Sequence, residues 1–359
     1  MTHGVLPDHT IEALIAQGAI RAATPITQAQ FQPASLDLRL GNVAYRVRAS
    51  FLAGPAVPVA ERLAAFEMHR MDLTAGAVLE KHCVYVVPLH EHLHLPPDIS
   101  AMANAKSSTG RVDCLTRIIT DGGIEFDRIP LGYTGRLYAE ICPRSFSVLV
   151  RPGLCLTQIR FRRGQAVLSD ADLAARHAKT PLVDGEHAVI AGGLGFSVDL
   201  KPQAGNGGLI GYRAKPHTGV VDLSREGAHA PADFWEALHG DNGRIILDPG
   251  AFYILASRES VVIPPDCAAE MSPYLAMMGE FRVHYAGFFD PGFGHGAPAR
   301  GVLEVRCHES PFVLEHGQVV GRLVYERMAA PPRALYGADI GSTYQGQGLK
   351  LSKHFKTDR

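Results

Sequence analysis

Residues 79–98, LEKHCVYVVPLHEHLHLPPD, recur in altered form 168 positions later as residues 247–266, LDPGAFYILASRESVVIPPD. The leading leucine, the central tyrosine, the glutamate after it and the closing Pro-Pro-Asp stand at the same places in both stretches. An ordered set of matches at one offset indicates a tandem duplication. We therefore expect two similar domains, residues 1–165 and 195–359, joined by a Gly-rich linker over 166–194.

Short apolar runs between proline and glycine predict that each domain is built mainly of strands. The chain has 24 prolines and 37 glycines. They separate runs such as CVYVVPL (83–89) and GQVVGRLVYE (317–326), a pattern typical of short strands joined by tight turns. Helical patterns occur only near residues 8–18, 168–178 and 231–239. The sequence therefore predicts a mainly β protein with a few peripheral helices.

Composition narrows the range of partners and compartments. The chain has 359 residues, with 35 basic and 36 acidic side chains and a formal net charge of −1. A neutral balance argues against nucleic-acid binding through bulk positive potential, so recognition of phosphate must be local. No run of eighteen apolar residues and no signal-peptide pattern occurs, and the six cysteines form no C-x-x-C pair. We expect a cytoplasmic protein with reduced thiols and no membrane contact.

Residues 106–111, KSSTGR, combine the side chains expected of an anion-binding turn. Lysine and arginine supply charge-assisted donors, the three hydroxyls complete an oxygen shell, and the glycine allows a tight backbone. The simpler interpretations are a polar surface turn or the start of a helix. We call residues 106–111 the cradle.

Glu140 follows the cradle within a strand-like stretch, GRLYAE (135–140). Strand alternation places it on the same face as Tyr138 and Cys142. A carboxylate on an enclosed face is costly unless it is paired or used, and it could then transfer protons. The alternative is an exposed glutamate on an edge strand.

Three alternating histidines, His90, His92 and His94, share one strand face and could bind a metal, although such tracts also occur on solvated strands. The sequence lacks an H-x-E motif followed by P-C-x-x-C. The catalytic zinc of ordinary nucleoside deaminases is therefore not expected.

The two halves have diverged in complementary ways. At the cradle's offset, the second half has PYLAMMG (273–279), without the hydroxyls and the arginine. Conversely, the second half has FFDPGFG (288–294), whereas the first half has RIPLGYTG (128–135), which lacks the aspartate. Each half keeps what the other has lost, so we expect one composite site per chain.

The ordered motifs of the chain resemble those of the dCTP deaminases in the dUTPase superfamily, in their long, duplicated bacterial form. The motifs that carry the resemblance are IEALIAQGAI (11–20), QPASLDLRLGN (32–42), KSSTGR (106–111), GRLYAE (135–140), VRPG (150–153), FDPGFG (289–294) and YQGQ (344–347). The resemblance implies a distorted, jelly-roll-like β-barrel for each half. It also implies metal-free hydrolytic deamination of dCTP to dUTP and ammonia, a step in the synthesis of dUMP and dTTP precursors.

The resemblance also implies roles for individual residues. Glu140 matches the catalytic glutamate, and Arg111 and Ser107 match the residues that position it. The remaining matches are expected to bind the nucleotide: Lys106 and Ser108 the triphosphate, Thr109 and Gly110 as parts of the cradle, Asp290 the sugar end, and Tyr336 and Gln347 in a C-terminal tail that closes over the phosphates. Magnesium is expected only as the counter-ion of the nucleotide.

Other functions remain open at this point. A dUTPase shares the fold and the triphosphate site, a bifunctional enzyme could carry dCTP through to dUMP, and a nucleotide sensor would bind without turnover. Glu304 occupies the position of Glu140 in the second half. Because the second half has no cradle at the matching position, we expect no second active site. The resemblance further implies a homo-oligomer and dTTP as an inhibitor, and leaves open whether the site lies within one chain or between chains.

Overall fold

The computed structural model describes residues 3–184, 188–202, 207–240, 242–273, 281–283, 287–297, 299–337, 340–342 and 344–357. Among them, strands predominate and the helices are short. The helices are α1 (Asp8–Ala16), α2 (Val59–Phe66), α3 (Ser107–Gly110), α4 (Asp170–Lys179) and α5 (Pro231–Phe234). The mainly β architecture that the sequence predicts is confirmed.

The first half contains fourteen of the described strands. They are β1 (Gly4–Val5), β2 (Ile20–Ala22), β3 (Phe31–Gln32), β4 (Ser35–Arg39), β5 (Val43–Val47), β6 (Glu67–Asp72), β7 (Ala77–Leu79), β8 (Val84–His94), β9 (Ile99–Ala105), β10 (Cys114–Thr120), β11 (Arg128–Ile129), β12 (Thr134–Pro143), β13 (Val148–Val150) and β14 (Cys155–Arg163). One sheet has the order β11-β9-β14-β4-β3, and a second has the order β10-β12-β8-β5-β6.

The second half contains the other fourteen described strands. They are β15 (Leu194–Asp199), β16 (Leu209–Ala214), β17 (Val221–Asp222), β18 (Trp235–His239), β19 (Arg244–Leu247), β20 (Phe252–Val261), β21 (Cys267–Pro273), β22 (Phe281–Val283), β23 (Phe288–Phe289), β24 (Ala299–Cys307), β25 (Phe312–Glu315), β26 (Val319–Arg327), β27 (Tyr336–Gly337) and β28 (Ile340–Gly341). The order β18-β16-β20-β15-β26-β21-β23 forms the main sheet, with β24 on β20.

Strand pairing repeats between the halves as the duplicated sequence predicts. Strand β8 pairs with β12 in the first half, and β20 pairs with β24 in the second. Strands β9 and β14 correspond in the same way to β21 and β26. The matched tyrosines also make the same bond: the hydroxyl of Tyr85 accepts from the backbone N–H of Glu80 at 3.0 Å, and that of Tyr253 from Asp248 at 2.8 Å. The duplication is therefore a feature of the fold as well as of the sequence.

The two halves share an apolar core instead of meeting at a solvated linker. One cluster of buried side chains combines first-half residues such as Phe146 with second-half residues including Trp235, Phe252 and Phe355. The rings of Phe146 and Trp235 lie 5.1 Å apart in an edge-to-face arrangement. Burial of large aromatic side chains across this seam fixes the halves against each other. A separate cluster forms the interior of the second half.

Two helical predictions agree with the structure and one is partly wrong. Helices α1 and α4 lie where the patterns near 8–18 and 168–178 predict them. The third pattern yields only the short helix α5, after which 235–239 forms strand β18 and pairs with β16. The sequence pattern there mixes apolar and polar residues at spacings that suit either structure, and pairing with a neighbouring strand decides it. Helix α2 was not predicted.

Two further features of the described residues concern the state of the cysteines and the length of the helices. All six cysteines are free thiols, and four of them are buried. Among the described helices, none has the length and apolarity to cross a membrane.

Candidate active site

One cavity of about 480 Å³ lies on the seam and is lined by both halves. Its volume suits a small-molecule ligand. The residues of the first half that line it include Asp37, Lys106, Ser107, Ser108, Arg111 and Gln158. The residues of the second half include Phe288, Asp290, Glu304, Tyr336, Tyr344, Gln347 and Lys353. Both halves of one chain therefore border this cavity, as a composite site requires.

The cradle forms the turn between β9 and β10. Helix α3 covers only four residues, with Lys106 before its first turn and no side-chain cap. Ser107, Ser108 and Arg111 reach the cavity, but Thr109 and Gly110 do not line it. Thr109 is buried, and its backbone N–H bonds to the carbonyl of Lys106 at 2.8 Å. The interpretation of residues 106–111 as a plain surface turn is therefore wrong.

Lys106 has a partner already. Its ammonium forms an ion pair with Asp37, a residue of β4 whose other carboxylate oxygen has no hydrogen-bond partner among the described residues. Burial raises the pKa of Asp37 and opposes the charge of Lys106, while the charge of Asp37 raises the pKa of Lys106. No role for Asp37 was predicted from the sequence, although this residue lies in the motif QPASLDLRLGN (32–42).

Arg111 is buried, lines the cavity and contacts the C-terminal tail, residues 344–357. It donates to the carbonyl of Lys350 and to Oε1 of Gln347, each at 3.0 Å. Its guanidinium stacks 3.8 Å from the ring centroid of Tyr344. Burial lowers the pKa of Arg111, and the negative charge of Glu304 is among the influences that oppose this. Arg111 therefore joins the cradle, the tail and Glu304.

The structure places Glu140 outside this cavity. Glu140 lies on the interior strand β12, directly across from Arg117 of β10, and is 2% exposed. Arg117 forms an ion pair with it, and the hydroxyl of Ser50 donates to Oε2 at 2.7 Å. The guanidinium of Arg117 in turn lies 3.6 Å from the ring centroid of Phe126. Neighbouring side chains of the first half enclose this carboxylate, so the alternative of an exposed glutamate on an edge strand is wrong. The catalytic role expected of Glu140 stays a prediction, which the lining of this cavity does not support.

Glu304 instead lies beside the cradle. It is on β24, across from Ile254 of β20, and is 1% exposed. A methyl group added at Gly110 would be 2.6 Å from Cδ of Glu304 and would overlap both carboxylate oxygens. The expectation that Glu304 has no cradle beside it is therefore wrong: it has the cradle of the other half. The sequence feature that could have indicated Glu304 is the Asp-Pro-Gly turn at 290–292, which precedes Glu304 and has no counterpart before Glu140.

Asp290 and Tyr336 lie together on the second-half wall. Asp290 is buried and faces Arg160 of β14 at 3.3 Å. The backbone N–H of Tyr336 bonds to the carbonyl of Pro291 at 2.9 Å, and its ring lies 5.6 Å from that of Phe293. Both residues line the cavity, but Tyr336 lies in β27 and not in the part of the chain that covers the cradle.

The C-terminal tail crosses the cradle and is anchored beyond it. The hydroxyl of Ser352 donates to the carbonyl of Ser108 at 2.8 Å. Phe355 is 2% exposed and packs edge-on against Phe234 and Trp235. Burial lowers the pKa of His354 to about 4. This tail, residues 344–357, therefore contacts the cradle at Ser108 and at Arg111.

Two further features singled out from the sequence are the three alternating histidines and the segment PYLAMMG (273–279). Within the described part of the chain, no group of three or more metal-ligating side chains converges, and His94 contacts Thr134 at 2.9 Å. The segment 274–280, which includes most of PYLAMMG, lies outside the described residues.

The two halves are similar barrels, and acidic and basic side chains from both line one cavity between them. The chain is therefore a duplicated protein of the dUTPase-like fold. Residues 2–165 match the family model of the 2'-deoxycytidine 5'-triphosphate deaminase N-terminal domain, and residues 169–355 match that of the C-terminal domain. The chain therefore belongs to the 2'-deoxycytidine 5'-triphosphate deaminase family.

Individual proteins agree with the family match. The crystal structure of 2'-deoxycytidine 5'-triphosphate deaminase from Agrobacterium tumefaciens is 54% identical, with a TM-score of 0.88 over 91% of this chain and 100% of that one. Proteins named "dCTP deaminase, dUMP-forming" are 35% identical over 107 residues in Beutenbergia cavernae and 30% over 129 residues in Methanothermobacter thermautotrophicus. These matches cover 28% and 35% of this chain, and 53% and 64% of the relatives' own length.

Proposed function

We propose that this chain deaminates dCTP by hydrolysis at the composite cavity. Water adds to C4 of the cytosine, the C4–N bond breaks, and the products are dUTP and ammonia. The observation that carries the proposal is that Ser107 and Arg111 of the first half and Asp290 and Glu304 of the second half line one cavity. The family match and the relatives' names support the same substrate.

Glu304 is the acid–base residue in this proposal. Its carboxylate takes a proton from the attacking water and returns it to the departing amine, so that one group serves both halves of the reaction. Its position supports this role because it is enclosed and next to the cradle. Arg111 and Ser107 then orient the water and the base. Glu140, which is already paired with Arg117, takes no part.

The phosphates of the nucleotide lie along the cradle and the tail. Ser108 and Lys353 line the cavity there, and arginine and lysine are suited to phosphate oxygens. Lys106 contributes less than its position in the motif implies, since Asp37 neutralises it. Magnesium enters with the nucleotide, bound to its phosphates as part of the substrate.

A second candidate is a bifunctional reaction that continues to dUMP and pyrophosphate. The names of the relatives in Beutenbergia cavernae and Methanothermobacter thermautotrophicus, both dUMP-forming, favour it. It requires a second water, directed at the α-phosphate instead of at C4. Inhibition by dTTP and assembly into a homo-oligomer stay predictions from the family resemblance.

The test is incubation of the purified, EDTA-treated protein with dCTP and restored Mg²⁺, with ammonia and nucleotides measured together. Ammonia and dUTP in equal amounts support the deaminase. Ammonia with dUMP and pyrophosphate supports the bifunctional enzyme. Tight binding of dCTP with no ammonia would overturn both and favour a sensor.

A further inference from the structure

Arg160 is a fully buried cation at the seam between the halves. It belongs to β14 of the first half, and its side chain is 0% exposed. Its neighbour two positions on, Arg162, points the same way and pairs with Glu270 and Glu326. A buried arginine is costly unless its donors are used. The partners of the Arg160 guanidinium therefore show which part of the fold this side chain holds in place.

Most of those contacts go to one short segment of the second half, residues 288–290. The guanidinium lies 4.1 Å from the ring centroid of Phe288. One terminal nitrogen, Nη2, donates to the carbonyl of Phe289 at 3.2 Å and to Oδ1 of Asp290 at 3.3 Å. The other, Nη1, donates to the carbonyl of Ala269 at 3.0 Å and faces Glu326 at 3.4 Å. Arg160 thus contacts three consecutive residues by ring, carbonyl and carboxylate.

The same three residues form part of the cavity wall. They begin in the two-residue strand β23 and lead into a turn whose Gly292 and Gly294 both have positive φ. So short a strand fixes its side chains weakly by itself, and an arginine that bonds to the segment at several points supplies the missing constraint. The planar guanidinium is suited to this, whereas an ammonium is a single point charge.

Asp290 has a mixed electrostatic environment. Burial raises the pKa of its carboxyl, and Arg160 is the strongest of the charges that oppose this, followed by Lys106. Lys106 is also shared with Asp37, and Tyr336 lies within electrostatic range. The cation of Arg160 therefore favours the ionised carboxylate, which accepts hydrogen bonds strongly.

We infer that Arg160 is a positioning residue for substrate selection: it holds the Asp290 carboxylate so that it accepts a hydrogen bond from the sugar hydroxyl of the nucleotide. This inference rests on the proposed function, which places the sugar end of dCTP at Asp290. The free hydroxyl of a 2'-deoxyribose 5'-triphosphate is at the 3' carbon. Arg160 acts through Asp290, so its loss weakens recognition of that hydroxyl.

The experiment compares binding of dCTP with binding of 2',3'-dideoxy-CTP, which lacks only that hydroxyl. Both affinities are measured by calorimetry in a Glu304→Gln background, so that turnover does not interfere. The test variant is Arg160→Lys, which keeps the charge but loses the planar fork. The matched control is Arg162→Lys, a change of the same kind on the same strand face at a residue that contacts Glu270 and Glu326. Far-UV and near-UV circular dichroism show whether each variant is folded.

Arg160→Lys is expected to weaken dCTP binding about tenfold and leave dideoxy-CTP binding nearly unchanged, since a hydrogen bond to a charged group contributes roughly this much. Arg162→Lys is expected to keep the wild-type ratio of the two affinities. Equal losses for both nucleotides in Arg160→Lys, or an unchanged ratio, would overturn the inference. Failure of the proposed function has a different signature: no ammonia from dCTP with the unmodified protein.

Discussion

Gly110 and Glu304 come from different halves of the chain and lie in contact. Any side chain at Gly110 would overlap the carboxylate of Glu304, with an added methyl carbon 2.6 Å from its Cδ. Gly110 has no positive φ, so this glycine is required by close approach and not by backbone conformation. The glycine of the cradle is therefore a means of bringing the glutamate of the other half to Ser107 and Arg111.

Replacement of this glycine tests the contact directly. Gly110→Ala is expected to displace Glu304 and lower kcat for dCTP deamination by at least a hundredfold, because misplacement of a reacting group by about 1 Å has an effect of that size. Gly219→Ala is the control, since a methyl group there finds its nearest neighbour at 4.0 Å. Steady-state kinetics with ammonia detection is the measurement. Unchanged kcat in a folded Gly110→Ala protein would argue against a catalytic role for Glu304.

The two equivalent glutamates offer a second test. Glu304→Gln is expected to lower kcat by about 10² to 10⁴, the usual contribution of a general acid–base group. Glu140→Gln keeps the shape of its side chain and is expected to retain most activity, although it loses the charge that pairs with Arg117. The reverse result, an inactive Glu140→Gln and an active Glu304→Gln, would restore the role that the sequence resemblance implies for Glu140.

The sequence predicted the repeated fold but did not show which of the two equivalent glutamates, Glu140 or Glu304, lies beside the cradle. Matches at a constant offset show that two positions are equivalent, and the shared strand pairing of β8 with β12 and of β20 with β24 follows from that. They do not show which of the equivalent positions faces the cradle. That choice depends on packing between the halves, which brings β24 of the second half beside helix α3 of the first.

At Lys106 and Arg160, too, the sequence motif does not show which residues the side chain contacts in the folded chain. A lysine next to two serines suits a phosphate, and the sequence gives no sign that Asp37, 69 positions earlier, neutralises it. Alternation along β14 places Arg160 opposite the apolar Ile159 and Phe161, on a face that the sequence indicates to be polar, and gives no sign that this face is buried. Its contacts with residues 288–290 arise from the seam between domains. Residues that act across such a seam are therefore the hardest to recognise in one sequence.

The tail provides a third prediction. Phe355 is buried among Phe234, Trp235 and His229, and it secures the tail beyond the point where the tail meets Arg111. Phe355→Ala is expected to release the tail and raise KM for dCTP about tenfold or more, with a smaller change in kcat, because the proposed function places the tail along the phosphates and away from the reacting C4. Lys356→Ala, an exposed neighbour, is the control.

Limited proteolysis gives an independent measurement of the same tail. The Phe355→Ala protein is expected to be cleaved within residues 344–357 at protease concentrations that leave the unmodified protein intact, and dCTP should restore part of the protection. If the variant resists cleavage and keeps its KM, the contacts of Arg111 and Ser352 alone hold the tail in place.

The last prediction concerns stability and pH near the enclosed Glu140. Burial raises the pKa of Asp127 from 3.8 to about 7; Glu270 and Glu140 add to the rise, and a backbone N–H and Arg117 oppose it. The folded state therefore binds a proton that the unfolded state releases between about pH 4 and 7. The stability that this proton contributes is present below pH 4 and is lost as pH rises through 7.

Asp127→Asn removes this titration with little change in shape. Oδ1 can still accept from the backbone N–H of Ile118, a bond of 2.7 Å, and asparagine tolerates the positive φ of 63°. The variant is expected to gain stability relative to the unmodified protein between pH 4 and 7, by on the order of 1–3 kcal/mol, and to keep that gain at higher pH. Urea unfolding at a series of pH values from about 4.5 to about 8, which covers most of the interval between the two pKa values, measures this gain in stability. Glu125→Gln, at an exposed carboxylate two positions away, is the control. A difference between Asp127→Asn and the unmodified protein that does not change with pH would show that Asp127 keeps its charge in the fold and that Arg117 compensates two carboxylates at once.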